Sequence, residues 1–562
     1  MFCMKDKLRY LWGVSLFVIP LLFSSIISSE STYILDNPHP HLSIIGIEGG
    51  IGVTVKIKND GNVDLNHVTL NVEVSNGEGI NIPEEMYEKD NLKTGEVWVQ
   101  KIHIYGLNMG FSGSQPEFMF TVLAPHAHLD RKGIAARVIG VVVIKTRDII
   151  ENPRAFKGYT LFSPMVSKTT YLINNSGDIL HTWERPYIPG KSVYLLEDGR
   201  LLRTACPYPN PNFPSGGVGG RIEVIDWNGT LLWYFELSNE TMCLHHDVEM
   251  LPNGNILAIA WEYKSYEEAV KAGRNPDTVS PQWGLWPDCI LEIKPIGESG
   301  YEIVWEWHMW DHLIQDFDPS KDNYGDVSKH PELIDINYPE AFIGGDIAHI
   351  NSIDYNEEFD QVLLSVHEYN EIWVIDHSTT LEEAAGHSGG RYGRGGDLLY
   401  RWGNPQTYRA GTVEDQRFFG QHDAQWIDKG SPGEGNILVF NNGWGRPDGR
   451  YSTVEEIIPP VDENGFYHRK PNSPFPPRES FWVYKESRNG ERFFSFNIAG
   501  AQRLPNGNTL ICSGQEGLFF EVTMDREVVW KYLNLFPTKM DNQVFKIRKY
   551  PPDYPGLKNL FG

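Results

Sequence analysis

The sequence contains little cysteine, no excess of basic residues and no long apolar run beyond its N-terminus. Its five cysteines among 562 residues are too few for a disulfide scaffold and show no Cys-x-x-Cys spacing that would indicate a metal site. With 49 basic against 74 acidic residues, the formal charge is −25, which argues against nucleic acid as a partner because binding phosphates requires a basic face. After residue 30, no segment is long and apolar enough to cross a membrane.

The rest of the composition is that of a folded, strand-rich protein. Hydrophobic residues make up 41% and charged residues 22%, which provides ample material for a core and excludes a disordered chain. Aromatic residues reach 12%, and 54 glycines with 36 prolines supply many turns. Because aromatic residues favour strands, while glycine and proline favour turns, this composition predicts an all-β protein.

The N-terminus has the pattern of an export signal. Lys5, Lys7 and Arg9 precede an apolar run over residues 10–27, which ends in serine-rich sequence. Residues 1–30 are therefore expected to be a signal peptide or a retained N-terminal membrane anchor. Either interpretation predicts that the rest of the chain is exported, to the periplasm, the cell surface or the extracellular space.

Residues 31–150 are predicted to form a small β domain. Val53, Val55 and Ile57 alternate with polar residues, and the turn over residues 59–62 leads into a second alternating segment. About seven short strands in this region predict an immunoglobulin-like β-sandwich that acts as a spacer or docking module.

Residues 151–562 contain a repeated pattern. A glycine turn followed by a strand occurs at residues 197–202, 252–257, 435–438 and 505–510. A second phrase closes a strand on an aromatic residue, as at Trp183, Trp233, Trp305, Trp402 and Trp530. About six copies at irregular spacing predict a six-bladed β-propeller, with the tryptophans packed between blades.

Three histidine-containing phrases stand where blades begin. They are His245-His246-Asp247, His349-Ile350-Asn351 and Gln421-His422-Asp423. In a propeller these positions converge on one central channel, although they lie far apart in the chain. Imidazole serves as nucleophile, general acid or base, or metal ligand, and the phrases alone leave these roles open.

The order and surroundings of these phrases resemble the arylsulfotransferase family over roughly residues 156–550. Asn441-Asn442-Gly443, one strand after His422, is part of the resemblance. The resemblance implies an exported six-bladed propeller with a smaller N-terminal β domain. It also implies ping-pong sulfuryl transfer from an aryl sulfate donor to a phenolic acceptor, without a nucleotide sulfate donor, cofactor or metal.

The resemblance also implies roles for individual residues. His422 falls on the nucleophile that becomes sulfohistidine, and His349 and His246 fall on the accessory catalytic histidines, with His245 as the alternative to His246 in that role. Asn351, His367 and His245 are expected to bind substrate. His367 stands where the family usually has an arginine, and Arg401, Arg409 and Arg446 are possible substitutes for that cation.

Sulfuryl transfer at imidazole requires a neutral ring, and Asp423 or a backbone carbonyl is expected to fix the His422 tautomer. Two other classes of function stay open. One is a metal-dependent or quinone-dependent propeller enzyme, and the other is an exported propeller that binds ligands without catalysis.

Overall fold

The computed structural model describes residues 40–560, apart from residues 76, 110–114, 126, 128–129, 151, 339–344, 487–489 and 491. It is 47% strand and 7% helix, which confirms the all-β prediction. The predicted signal or anchor at residues 1–30 lies outside the described residues. Within the described part of the chain, no helix has the length and apolar character needed to cross a membrane.

The N-terminal region is one β domain with its own hydrophobic core, which includes Val53, Val55 and Ile57. Its nine strands pair in the order β4-β2-β7-β8-β9-β1-β5, with β3 and β6 attached beside β8. They are β1 Leu42–Asn59, β2 Leu65–Ser75, β3 Ile80–Asn81, β4 Met86–Leu92, β5 Val97–Ile102, β6 Tyr105–Asn108, β7 Glu117–Leu123, β8 Asp130–Gly140 and β9 Val142–Ile150.

This pairing does not show the two separate sheets of the expected immunoglobulin-like sandwich. The reason is the long strand β1, which changes partner along its length. It pairs with β9 at Gly50 and Ile51 and with β5 over residues 53–58. Gly50 and Gly52, with φ of 151° and 72°, allow the backbone to turn between these partners, so that one continuous sheet forms.

The remaining strands form mostly antiparallel sheets. In chain order they are β10 Tyr159–Pro164, β11 Thr169–Ile173, β12 Ile179–Glu184, β13 Ile188–Leu195, β14 Leu201–Cys206, β15 Arg221–Ile225, β16 Leu231–Glu236, β17 Met242–Met250, β18 Ile256–Glu262, β19 Asp288–Ile296, β20 Gly300–His308, β21 Leu313–Ile314, β22 Ile334–Asp335, β23 Ile350–Asn356, β24 Gln361–Val366, β25 Glu371–Asp376, β26 Tyr400–Trp402, β27 His422–Trp426, β28 Ile437–Asn441, β29 Thr453–Ile457, β30 Trp482–Tyr484, β31 Ala499–Arg503, β32 Thr509–Ser513, β33 Leu518–Val522, β34 Val528–Leu533 and β35 Val544–Tyr550. Of these, β21 and β22 pair in parallel as a separate two-stranded sheet.

Helices are few and short among the described residues. The α-helices are α1 Tyr266–Lys271 and α2 Leu381–Ala384, and the 3-10 helices are Pro276–Thr278, Met309–His312, Val327–Lys329, Pro405–Tyr408, Val413–Asp415, Gly514–Glu516 and Pro555–Leu560.

The sheets have a propeller-like arrangement, but the number of separate four-stranded sheets is four, not the six expected. These sheets are β12-β11-β10-β35, β23–β26, β27–β30 and β31–β34. Strands β13–β20 form one eight-stranded sheet because a parallel pair, Lys191 with His246, joins β13 to β17. The last strand, β35, pairs with β10 and thereby joins the C-terminal end of the array to its first sheet.

The recurring tryptophans are buried as expected. Trp183, Trp233, Trp305, Trp402 and Trp530 are each no more than 4% exposed. Trp305 belongs to a hydrophobic core that also contains Trp373, so it packs between the sheets of β17–β20 and β23–β26. Because each buried aromatic side chain removes a large apolar area from water, these contacts stabilise the stacking of neighbouring sheets.

Each four-stranded sheet contributes one inner strand to the centre of the array. The eight-stranded sheet contributes two, β13 and β17. Strands β13, β17, β23, β27, β31 and β35 each contact the next, and β35 contacts β13. At their centre Lys546 Nζ lies 2.6 Å from Asp247 Oδ2 and 3.3 Å from Asp423 Oδ1, while Arg548 Nη2 lies 2.8 Å from Asp423 Oδ1. We call these four residues the channel network.

The N-terminal domain docks on the turn before β34. His41 Nδ1 lies 2.5 Å from Asp60 Oδ1, and its Nε2 lies 3.6 Å from Glu527 Oε2, which also pairs with Arg154. Hydrogen bonds from His41 to Asp60 and Glu527 outweigh the opposing effect of burial and raise the pKa of His41 to about 9. Whether residues 31–150 and 151–562 fold independently stays a prediction.

We expect His41 to stabilise the protein below pH 6.5 and to lose this effect as the pH rises through about 9, because its proton is held only in the folded state. The difference in free energy of unfolding between the wild type and His41→Asn should be on the order of 2 kcal/mol at pH 6 and should shrink above pH 9. Chemical denaturation across this pH range measures it, with His468→Asn at an exposed histidine as the control. A difference that does not change with pH would contradict this assignment.

Candidate active site

The predicted site histidines lie where the inner strands depart from regular pairing. His246, His349 and Asp423, the residue after His422, have φ of 51°, 52° and 53°. At each of these places the register with the neighbouring strand shifts. Left-handed backbone is uncommon for residues other than glycine, and bulges of this kind redirect side chains at functional sites.

Four histidines from three sheets form a continuous row. Ring centroids are 4.6 Å apart for His246 and His349, 5.4 Å for His349 and His367, and 5.4 Å for His367 and His422. Phe545 on β35 lies 5.7 Å from His246 and 6.0 Å from His422. The structure therefore brings together the three predicted catalytic histidines and His367, which we call the histidine row.

His422 is neutral and held in one tautomer. Its Nδ1 lies 2.8 Å from Asn442 Oδ1 and 3.2 Å from the Gly420 carbonyl oxygen, and both of these atoms are acceptors. The Asn442 amide donates its Nδ2 hydrogen to the Ser495 carbonyl at 2.8 Å, which turns its oxygen toward His422. Nδ1 therefore carries the proton, and Nε2 keeps its lone pair.

Burial, followed by the neighbouring His367, lowers the pKa of His422 to about 3. The expectation of a carbonyl partner is met by Gly420. The expectation for Asp423 is wrong, because its carboxylate bonds to Arg548 and Lys546 instead. Burial acts to raise the pKa of Asp423, but these two cations outweigh it and lower the value to about 2.

His349 has the opposite protonation state. Its Nδ1 donates to Asp346 Oδ2 at 2.5 Å, and Asp346 also accepts from Ser215 at 2.8 Å and from the Trp261 indole at 3.1 Å. Burial lowers the pKa of His349, but the Asp346 carboxylate outweighs it and raises the value to about 9. At neutral pH the row therefore holds a protonated His349 two rings away from a neutral His422.

His246 is neutral, and its ring contacts the ring of His245. The two Nδ1 atoms are 2.8 Å apart, and His245 Nε2 lies 2.9 Å from Asp288 Oδ1. Burial and the charge on His349 hold the pKa of His246 well below its usual value. His245 is stacked on Trp261 with ring centroids 3.9 Å apart, so its geometry is that of a residue that orients His246.

Gly217 makes room for the His246 ring. A Cβ atom at Gly217 would lie 1.8 Å from His246 Cε1, a distance that no side chain tolerates. The Gly217 carbonyl also accepts the His246 backbone N–H at 3.0 Å.

Asn351 and His367 have different surroundings. Asn351 is fully buried and donates its Nδ2 hydrogen to the Gln421 carbonyl at 2.8 Å, so it holds the residue next to His422. Among the described residues its Oδ1 has no hydrogen-bond partner. His367 lies within the histidine row, and its Nδ1 is 2.8 Å from Glu368 Oε1. Their expected contacts with substrate stay predictions.

Two of the three arginines considered as substitutes for the family cation are engaged elsewhere. Arg401 is fully buried and 2.5 Å from Glu371, and Arg409 lies 2.8 Å from Asp335. Arg446 lies over the rings of Phe419 and Tyr451. Phe419 lies three residues before His422, and Tyr451 lies nine residues after Asn442. Of these three arginines, Arg446 is therefore the one that lies near the His422 loop.

Lys191, which the histidine phrases do not include, is a further cation beside the histidine row. It pairs with His246 across β13 and β17, and its charge contributes to the lowered pKa of His246. Burial lowers the pKa of Lys191 itself. Its signal was present in the repeat, since Lys191 precedes Gly199 by the same eight residues by which His246 precedes Gly254.

The sequence model of the family described as Arylsulfotransferase (ASST) matches residues 167–543. The chain belongs to the arylsulfotransferase family. The matched range contains the whole histidine row and Asn442, and it excludes the channel-network residues of β35 beyond position 543. No curated protein matches the chain.

The solved structures that match this chain share little sequence identity with it. One is a protein of unknown function from Bacteroides caccae, with 13% identity and a TM-score of 0.39, covering 70% of this chain and 98% of that chain. Another is a catalytically inactive virginiamycin B lyase from Staphylococcus aureus with quinupristin, with 12% identity and a TM-score of 0.31, covering 72% of this chain and 87% of that chain. At these values the likeness carries no inference about activity.

We expect His422 to stay neutral, with its proton on Nδ1, down to a pH of about 4, because its pKa is lowered to about 3. Nitrogen NMR of histidine-labelled protein measures the tautomer, and His422→Asn assigns the signal. Asn442→Leu should release the tautomer, since the acceptor at 2.8 Å is lost. A His422 ring that gains its second proton near pH 6 would refute this description.

Proposed function

We propose that this arylsulfotransferase-family chain transfers a sulfuryl group from an aryl sulfate to a phenol through His422. The observation that carries the proposal is that one row contains both a neutral His422, fixed as the Nδ1–H tautomer, and a protonated His349. A nucleophile needs a free lone pair, and a departing phenolate needs a proton. The row supplies both at neutral pH.

In the first half-reaction, His422 Nε2 attacks sulfur and an N–S bond forms. The bond between sulfur and the aryl oxygen breaks, its electron pair goes to that oxygen, and His349 donates the proton that completes the phenol. In the second half-reaction, an acceptor phenol gives its proton to His349 while its oxygen attacks sulfur. The N–S bond then breaks, and its electron pair returns to Nε2.

The sulfate oxygens require positive charge in a site that excludes water. Protonated His349 supplies one charge, and Lys191 beside His246 is our candidate for a second. His367, between His349 and His422, is the third candidate contact and takes the place of the family arginine. Phe545 offers a ring face near His246 and His422 for the aryl group.

We also propose that the propeller has six blades. The eight-stranded sheet contains two antiparallel four-stranded halves, β13–β16 and β17–β20, which are joined by the single parallel pair of Lys191 and His246. If these halves are counted separately, each of the six inner strands belongs to one blade. The N-terminal sequence further supports export, either with a cleaved signal or with a retained anchor.

Incubation with 4-nitrophenyl sulfate and no acceptor should leave about 80 Da on His422, and added phenol should remove it. His422→Asn keeps some hydrogen bonding but lacks the nucleophile, so both the adduct and phenol-dependent turnover should disappear. Peptide mass spectrometry locates the adduct, and the release of 4-nitrophenol measures turnover.

The matched control is His468→Asn, since His468 is 70% exposed and pairs with Asp462 away from the row. This variant should retain both adduct and turnover. An adduct on another residue would remove His422 from the mechanism. Tight binding of the aryl sulfate without any adduct would favour the non-catalytic propeller instead.

His349→Asn should lower the turnover of an aryl sulfate donor, and the loss should be larger when the phenolate is a poorer leaving group. We expect a loss of roughly 10²–10⁴-fold with phenyl sulfate and a smaller loss with 4-nitrophenyl sulfate, which needs little protonation. In the wild type, turnover of phenyl sulfate should fall as the pH rises through about 9, where His349 loses its proton. Measured kcat/KM across a series of leaving groups tests this, and equal losses for all donors would argue against an acid role.

A further inference from the structure

A second cluster of ligating side chains lies outside the histidine row. His312, His387 and Asp397 offer ligand atoms that all lie within 4.8 Å of one another, and no other group of three or more does so in the described part of the chain. His312 ends the 3-10 helix after β20. His387 and Asp397 lie within and just after a loop of residues 386–396, between α2 and β26, which contains six glycines.

His312 is held through both of its ring nitrogens. Its Nε2 lies 2.9 Å from the Ala384 carbonyl, an obligate acceptor, so Nε2 carries a proton. Its Nδ1 lies 2.8 Å from Asp397 Oδ1. Because Nε2 is engaged by the carbonyl, Nδ1 is the ring nitrogen that can bind a cation together with the Asp397 carboxylate.

His387 approaches the same oxygen. Its Nδ1 also lies 2.8 Å from Asp397 Oδ1, so two imidazoles converge on one carboxylate atom. A zinc ion with bonds of about 2.0–2.1 Å keeps its ligand atoms roughly 3.3 Å apart, so a small outward movement of one ligand admits it. His387 is 60% exposed and free to make this movement.

His312 is the fixed side of the cluster. Its side chain is 0% exposed and is stacked on Trp307, with ring centroids 5.7 Å apart and an interplanar angle of 3°. Gly396 packs against it so closely that a Cβ atom there would lie 2.5 Å from His312 Nε2. A histidine held by packing, with its second nitrogen on a backbone carbonyl, is the arrangement typical of metal ligands.

We propose that His312, His387 and Asp397 bind a divalent transition metal of the zinc class. Two imidazoles and a carboxylate match the ligand preferences of zinc, with water completing a tetrahedral shell. The ion ties the glycine-rich loop before β26 to the segment that follows β20, and thus links two neighbouring sheets of the propeller. Such a loop loses much conformational entropy on folding, which a cross-link reduces.

The test uses the full chain, stripped with a chelator, dialysed against zinc chloride and analysed for metal by mass spectrometry. We expect one zinc per chain and an increase in Tm on adding zinc. His387→Ala should weaken binding by roughly 100-fold or more, since even an outer partner of a ligand is worth about 10- to 100-fold. This variant should fold, because the removed ring is mostly exposed.

Two controls locate the ion. His468→Ala removes an exposed histidine that pairs with a single carboxylate, and His422→Asn alters the histidine row, so both should bind zinc as the wild type does. Loss of zinc in His422→Asn with retention in His387→Ala would place the metal in the channel and overturn the proposal. Uptake of fewer than about 0.1 zinc per chain would overturn it as well.

Discussion

Two cations on β35 neutralise two buried carboxylates, and the arrangement of the site depends on these pairs. Asp247 follows His246 and Asp423 follows His422, so Lys546 and Arg548 hold the residue next to each histidine. Ser192 and Tyr194 on β13, the backbone of Ile353 on β23 and Ala501 on β31 also bond to these carboxylates. Loss of one partner from a buried pair typically costs about 3–5 kcal/mol, because the other charge stays buried and uncompensated.

The same low-polarity interior separates the protonation states of neighbouring histidines. Without a charged partner, burial favours the neutral ring, as at His422 and His246. With the carboxylate of Asp346 at 2.5 Å, burial strengthens the attraction that keeps His349 protonated. One buried row thus contains both a neutral and a protonated imidazole, and the difference comes from the groups that contact each ring.

The sequence predicted the elements of this site better than their connections. Alternating residues and turn phrases indicated the strands, and the histidine phrases indicated which side chains would meet. The single N-terminal sheet was not predictable, because it depends on where β1 changes partner at Gly50 and Gly52. Asn442 was noted only as part of a motif, and its contact with His422 depends on the amide being turned by Ser495, which lies 53 residues further along the chain. Asp346 lies three residues before His349 in the same phrase, so its contact is local, whereas Phe545 belongs to no repeated phrase and reaches the row only through the fold.

The pairing of β35 with β10 has a consequence for how the site comes into being. The last strand, β35, contributes Phe545, Lys546 and Arg548 to the centre of a ring of inner strands. The first of these inner strands, β13, lies more than 300 residues earlier in the chain. Until β35 is in place, the histidine row therefore lacks the two cations that neutralise the carboxylates of Asp247 and Asp423 beside it. Contacts between such distant segments form slowly, because the loop-closure entropy is lost before they can stabilise the fold. The contacts of Lys546 and Arg548 with Asp247 and Asp423 therefore form only once β35 has joined β10.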